Sequence, residues 1–260
     1  MNKMHSASRL AARRAAAARA ERKENTPKDG IPCAIRQFVF RRDRFYGQDH
    51  LRCVRRKICE VFMDLIEQIE RYAPYNEQEE RDKSLILDCL YAFEDIFTRE
   101  NRLAHMTASA WVVNETFDRV LMAYHNIYDS WAWLGGHADG EEDLLAVALR
   151  EVREESGVTH VRPASRDIFS LEALTVDGHV KRGEYVSSHL HLNVTYLLIA
   201  DDADALAIKP DENSGVKWFT PEGAVEASGE PWYREHIYKK LNEKMARFRA
   251  EKIGRGENSI

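Results

Sequence analysis

Between Leu144 and Glu155 the sequence writes two separate faces onto one helix. At about 100° per residue, Leu145, Ala148, Leu149 and Val152 share an arc of roughly 100°, an apolar stripe suited to packing against a sheet. Glu151, Glu154 and Glu155 share a second arc of about the same width, so three carboxylates converge along the edge of that packing surface. The helix therefore belongs at a domain's edge with its acids facing a cleft. Gly157 is placed to end it.

Three like charges that close repel one another, and each carboxyl rises in pKa unless a cation compensates. Hard oxygen ligands call for Mg²⁺, with Mn²⁺ as the alternative. Magnesium keeps several waters and usually completes its shell with substrate phosphates, which points to catalysis on a phosphate-bearing substrate. Arg150 stands four residues before Glu154 and can pair with it. Glu142, in the preceding loop, can pair with Arg150 and hold its fork in place. An acidic stripe alone reads equally well as a solvated face. The joint spacing Gly136-x5-Glu142-x7-Arg150-Glu151-x2-Glu154-Glu155-x-Gly157 is different, because seven such identities coincide by chance on the order of once in 10⁸ positions.

Around that segment the hydrophobic period changes twice. Leu51, Val54, Ile58, Val61, Phe62, Leu65, Ile66, Ile69 and Tyr72 step by three or four until Pro74. Asn76 and Glu79 match a capping box that opens a second stripe through Leu85, Ile86, Cys89, Leu90, Phe93, Ile96 and Phe97. The spacing predicts a helical pair of about two dozen residues each. After His105 the pattern becomes strand-like, with a hairpin from Ser109–Val113 and Val120–Tyr124. A glycine-bearing loop, Trp131 to Glu142, leads into the two-faced helix. Strands follow at Ser170–Val176, His189–Ala200 and Val216–Phe219, and helices close the chain at Pro221–Ala227 and Trp232–Phe248. There is no internal repeat.

Composition bounds the function classes. At 260 residues, 44% hydrophobic and 31% charged, the chain is globular. No uncharged apolar run approaches a membrane span, so a membrane partner is not expected. Cys33, Cys53, Cys59 and Cys89 form neither C-x-x-C nor a Cys/His spacing, which suits a reducing cytoplasm. The net charge of −5 hides an asymmetry, since residues 1–57 carry sixteen Lys/Arg against five Asp/Glu. Residues 1–34 read as a basic tail whose acid-free start offers mitochondrial import as the lesser alternative to a cytoplasmic location. Serine hydrolysis and P-loop chemistry are excluded, because neither G-x-S-x-G nor G-x-x-x-x-G-K-[ST] is present.

The segment Gly136–Val158 resembles the Nudix box at every fixed position, so the chain is identified as similar to a Nudix hydrolase. The resemblance implies an α+β fold, an α/β/α sandwich with a mixed sheet over residues 103–252. A helical region, 35–102, and the basic tail precede it, and a short tail, 253–260, follows. It also implies metal-dependent hydrolysis of a diphosphate linkage in a nucleoside diphosphate derivative, with a small nucleotide-derived substrate. Glu151, Glu154 and Glu155 would hold the metal, and Glu151 would orient or deprotonate the attacking water. Gly135 matches a position whose carbonyl joins the metal shell in some members. The stretch Asp211 to Trp218 resembles an acidic loop that supplies a further ligand or the base, with Glu212 the residue chosen there.

Specificity residues are less constrained. His189, His191, Asn193 and Thr195 alternate on one strand face and could line a polar pocket. Trp131 and Trp133 flank the glycine loop, where one can stack on a base while the other packs inside. His125 and His137 bracket that loop, and His137 is placed for a phosphate contact. RNA-end processing through Arg36, Arg41, Arg42, Arg44, Arg52, Arg55, Arg56 and Lys57 is an alternative function, as is a nucleotide-sensing regulator on the same fold. The amphipathic pair offers a surface on which a homodimer could form.

Overall fold

Among the described residues the longest run of burial falls on a strand, β1 (Ala104–Val113), with all ten residues inside. In this computed structural model the described residues are 64–255 apart from Arg182. The basic tail, the basic cluster Arg36 to Lys57 and the first helical stripe as far as Phe62 lie outside them. So do Cys33, Cys53 and Cys59, while Cys89 is a buried free thiol.

Alternation along β1 defines two sheet faces. Ala104, Met106, Ala108, Ala110 and Val112 join one apolar core, and Trp111 and Val113 join the other. β1 runs parallel to β9 (His189–Ala200) from Ala104 opposite Leu190 to Val113 opposite Ile199. Every other described pair in this sheet is antiparallel, so the sheet is mixed. Along one edge β1 pairs with β2 (Val120–His125) at its end and with β4 (Leu134–His137) nearer its start. β10 (Asn213–Phe219) and β3 (Ser130–Ala132) flank β2. On the far side β9 pairs with β6 (Ser170–Val176) and β5 (Val161–Pro163). A separate hairpin joins β7 (His179–Lys181) to β8 (Glu184–Val186).

Residues 64–71 are helical, and after Pro74 the next helix, α1, spans Glu77–Ala92. Asn76 caps it by accepting the Glu79 N–H at 3.0 Å. α1 has 16 residues, shorter than the two dozen its apolar stripe predicts. Ile96 and Phe97 remain buried beyond its end. Their carbonyls are taken by the N–H groups of Met106 and Gly140, both at 2.8 Å, so tertiary hydrogen bonds displace the helical ladder. A second correction concerns the glycine-bearing segment read as a loop, whose first half forms β3 and β4.

The two-faced helix, α2, spans Leu144–Ser156. Asp143 caps it by accepting the Ala146 N–H at 3.0 Å, and Gly157 closes it at φ 74°. Leu144, Leu145, Val147, Ala148 and Val152 are buried in the core that includes Ala108 and Val194. On the opposite face, α3 (Pro221–Ala227), a π turn (Arg234–Tyr238) and α4 (Lys239–Gly254) cover Trp111, Leu197 and Ile199. The closing helix expected as one piece is thus interrupted by that wider turn. The result is an α+β fold in which a mixed sheet lies between the box helix and the closing helices. No described helix is long and apolar enough to cross a membrane.

A buried polar network fastens the helical elements to the sheet. Lys240 of α4 reaches Glu172 of β6 at 3.0 Å and Glu79 of α1 at 3.3 Å. Lys244 reaches Glu79 at 2.8 Å. Glu172 also accepts from Thr195 at 2.8 Å and from Asn193 at 3.1 Å. Asn193 in turn accepts from Thr107 and Ser109, both at 2.9 Å. Each buried charge therefore meets an opposite one, which is the condition for keeping it inside.

Candidate active site

Carboxylate oxygens from Glu151, Glu155 and Glu212 lie within 4.8 Å of one another. Helical spacing brings the first two together, one turn apart on α2. Glu212 arrives from the loop before β10. Asn213 anchors that loop by donating to the Glu155 carbonyl at 2.9 Å, and the Glu212 carbonyl accepts the Asn126 N–H at 3.0 Å.

The two box glycines make the approach of β4 to α2 and β1 feasible. A Cβ on Gly136 would stand 2.6 Å from the Glu151 carboxyl carbon. A Cβ on Gly135 would stand 2.5 Å from the Ala108 carbonyl oxygen. The Gly135 N–H donates to Glu155 at 3.0 Å, so this glycine touches the acidic group through its amide, whereas the resemblance concerned its carbonyl.

Arg150 leans toward Glu151. Its Nη2 donates to the Glu151 carboxylate at 2.9 Å and to the His137 carbonyl at 3.4 Å, while its Nε stays 3.9 Å from Glu154. Glu154 turns instead to Lys209 at 3.2 Å, and the same lysine reaches Glu212 at 3.1 Å. Glu154 therefore borders the carboxylate group without joining it. Lys209 is a bridge that the spacing of the box does not indicate. Glu142 sits half-buried in the loop that precedes the Asp143 cap.

Burial dominates the electrostatics. It pushes the Glu155 carboxyl up to about 8 against the help of the Gly135 amide, with repulsion from Glu151 and Glu212 adding to it. Burial also raises Glu151, although Arg150 opposes the rise. Buried, mutually repelling carboxyls with hard oxygen donors are the chemistry of a divalent-cation site, so the residues present fit Mg²⁺ or Mn²⁺.

The other expected site residues separate into two groups. Trp133 is half-buried among Tyr233 and Tyr238, and Trp131 meets Tyr124 and Phe219 edge-on, so both contribute to the core beneath the closing helices. His125 lies against Tyr128. Asn193 and Thr195 are buried in the network described above. His137, His189 and His191 come together, joined by His105, which the sequence did not single out. Burial holds the His105 imidazole below the usual histidine range.

Solved structures that resemble this chain include two hydrolases. One is a NUDIX-family hydrolase from Clostridium perfringens, 21% identical with a TM-score of 0.41, covering 55% of this chain and 96% of that one. The other is a C. elegans Ap4A hydrolase in a binary complex, 20% identical with a TM-score of 0.41, covering 56% of this chain and 98% of that one. No curated protein matches the sequence. A family model described as NUDIX domain matches residues 103–241, just over half of the 260 residues. The chain belongs to the Nudix hydrolase family.

Proposed function

We propose that the protein hydrolyses a diphosphate linkage in a small nucleoside diphosphate derivative, with Mg²⁺ as its metal and Mn²⁺ as a substitute. The observation that carries this reading is the meeting of Glu151, Glu155 and Glu212 oxygens within 4.8 Å, two from the box helix and one from a separate loop. Those three carboxylates, with Glu154 at their border and Gly135 beside Glu155, would hold the ion. When bound, a divalent ion at such a site polarises the diphosphate and lowers the pKa of a coordinated water.

The chain's own groups have separable tasks in this reading. Glu151 orients the attacking water and takes its proton, and Arg150 fixes that carboxylate by charge-assisted donation. Glu142, just ahead of the helix, supports the Arg150 fork. Lys209 ties Glu154 to Glu212 and keeps the box helix in register with the β10 loop. One P–O bond breaks by in-line attack of water, and no covalent enzyme intermediate is needed.

The test is product release from a panel of nucleotide derivatives with Mg²⁺ or Mn²⁺, wild type beside Glu155→Gln. Cleavage by the wild type alone supports the reading, and the products identify the bond broken. A metal-dependent rate equal in both proteins would overturn it.

A further inference from the structure

Four histidines gather where β1 and β9 begin. Parallel register sets His105 opposite His191, and alternation keeps His189 on the same face. β4 brings His137 alongside, opposite Thr107. The His105 ring centroid lies 5.1 Å from that of His137, 4.9 Å from that of His189 and 5.0 Å from that of His191. These odd-numbered β1 and β9 positions share the sheet face of Trp111, whereas the box helix covers the even-numbered face of Ala108. The cluster is therefore separate from the carboxylates.

Hydrogen bonding fixes which ring nitrogens carry the proton. His105 Nδ1 lies 3.1 Å from the Asn101 carbonyl, and a carbonyl can only accept, so Nδ1 carries the proton. Its Nε2 is left with a lone pair, buried and without a hydrogen-bond partner, on a residue only 4% exposed. His189 repeats the arrangement, with Nδ1 2.9 Å from the Ser187 carbonyl. The His189 Nε2 faces His191 Nε2 at 3.2 Å. One ring nitrogen from each of His105, His189 and His191 falls within a 4.8 Å group.

We propose that His105, His189 and His191 form a zinc-binding site. Imidazole nitrogens suit Zn²⁺ and other late first-row cations, not the hard Mg²⁺ that suits the carboxylates. A histidine that ligates a metal usually donates its second nitrogen to a carbonyl or carboxylate, and both His105 and His189 do so to backbone carbonyls. With Zn–N of about 2.0–2.1 Å, two ligands of a tetrahedron stand about 3.3–3.4 Å apart. The 3.2 Å separation of His189 and His191 is close to that edge. Three protein ligands leave the fourth position for water or an anion. The ion would clip the start of β1 to the start of β9. His189 and His191 would thus receive a cation where the sequence suggested a substrate contact, with His105 as the third ligand.

The test uses the full chain, stripped of metal, held in excess Mg²⁺ and titrated with Co²⁺ as the visible probe for Zn²⁺. One equivalent is expected to give the intense absorption of four-coordinate cobalt and to be displaced by Zn²⁺. His191→Ala and His189→Ala, both at positions more exposed than His105, should weaken Co²⁺ binding at least as much as the about 10–100-fold cost of losing an outer-shell partner. Glu155→Gln should keep the band, which separates this site from the hydrolytic one. The weak absorption of six-coordinate cobalt in the wild type, or a band unchanged in both histidine variants, would overturn the proposal. His189→Ala keeps the test open if His191→Ala does not fold.

Discussion

The Glu151 carboxyl carbon stands 2.6 Å from where a Cβ on Gly136 would be, so the space left by the missing side chain is occupied by the box glutamate. Gly135 next to it is crowded by backbone instead, with the Ala108 oxygen at 2.5 Å and the Ser109 Cα at 2.7 Å. The two adjacent glycines should therefore fail differently. In Gly136→Ala a flexible side chain yields, and a displacement near 1 Å costs about 100-fold in kcat with little change in stability. In Gly135→Ala the β1–β4 pairing must shift, at about 1–3 kcal/mol of stability. Urea midpoints read beside turnover numbers separate the two.

Arg150 holds Glu151 at 2.9 Å from a side chain that is partly exposed. Arg150→Ala should lower kcat by about 10- to 100-fold, the usual cost of losing a partner that orients a ligand. Arg150→Lys should restore only part of it, since an ammonium keeps the charge but lacks the planar fork that sets Nη2 against Glu151 and the His137 carbonyl while Nε lies 3.9 Å from Glu154. Steady-state kinetics with saturating Mg²⁺ distinguish lost positioning from lost metal.

Glu155 gives the metal-free protein a defined pH dependence. Its carboxyl is pushed from an ordinary 4.5 up to about 8, so the folded chain keeps a proton that the unfolded chain has released. The associated stability is complete below the unfolded value and is lost as pH rises through the folded one. In the presence of a chelator, the Tm of the wild type should fall between pH 5 and 8 relative to Glu155→Gln. Adding Mg²⁺ at pH 8 should recover the difference by mass action. Thermal melts at three pH values, with and without the ion, measure both effects.

The network around Lys240 ought to be costly to break. Its side chain is 3% exposed, and its ammonium lies 3.0 Å from Glu172 and 3.3 Å from Glu79. Lys240→Met keeps an unbranched side chain one atom shorter and removes the charge, leaving buried carboxylates short of a partner at about 3–5 kcal/mol. Lys244→Met should cost less, because that side chain is more exposed and Lys240 remains. Denaturant titration of the two variants ranks them.

Local pattern carried far in this chain and long-range placement did not. The box helix, β6 and β9 have the bounds their periodicity predicts, to within one residue. β4 was unreadable because Leu-Gly-Gly-His has few strand formers, and it exists through its pairing with Thr107–Ala110. The acidic arc of α2 was legible, yet its spacing carried no sign that Lys209 would draw Glu154 aside while Glu212 joined the other two. His105 is illegible in the sequence for a related reason. Its meaning comes from the parallel register with His191, which no spacing within one strand reveals.

The parallel pairing also dictates an order of events during synthesis. Thr107 and its partner Asn193 are 86 residues apart. At about 5–20 residues per second a ribosome needs roughly 4–17 s to traverse that interval. Until β9 emerges, one edge of β1 and the apolar ridge of the box helix lack part of their cover. The nascent chain therefore waits with its most buried strand half-dressed, and any factor that shields exposed strands would act in that interval.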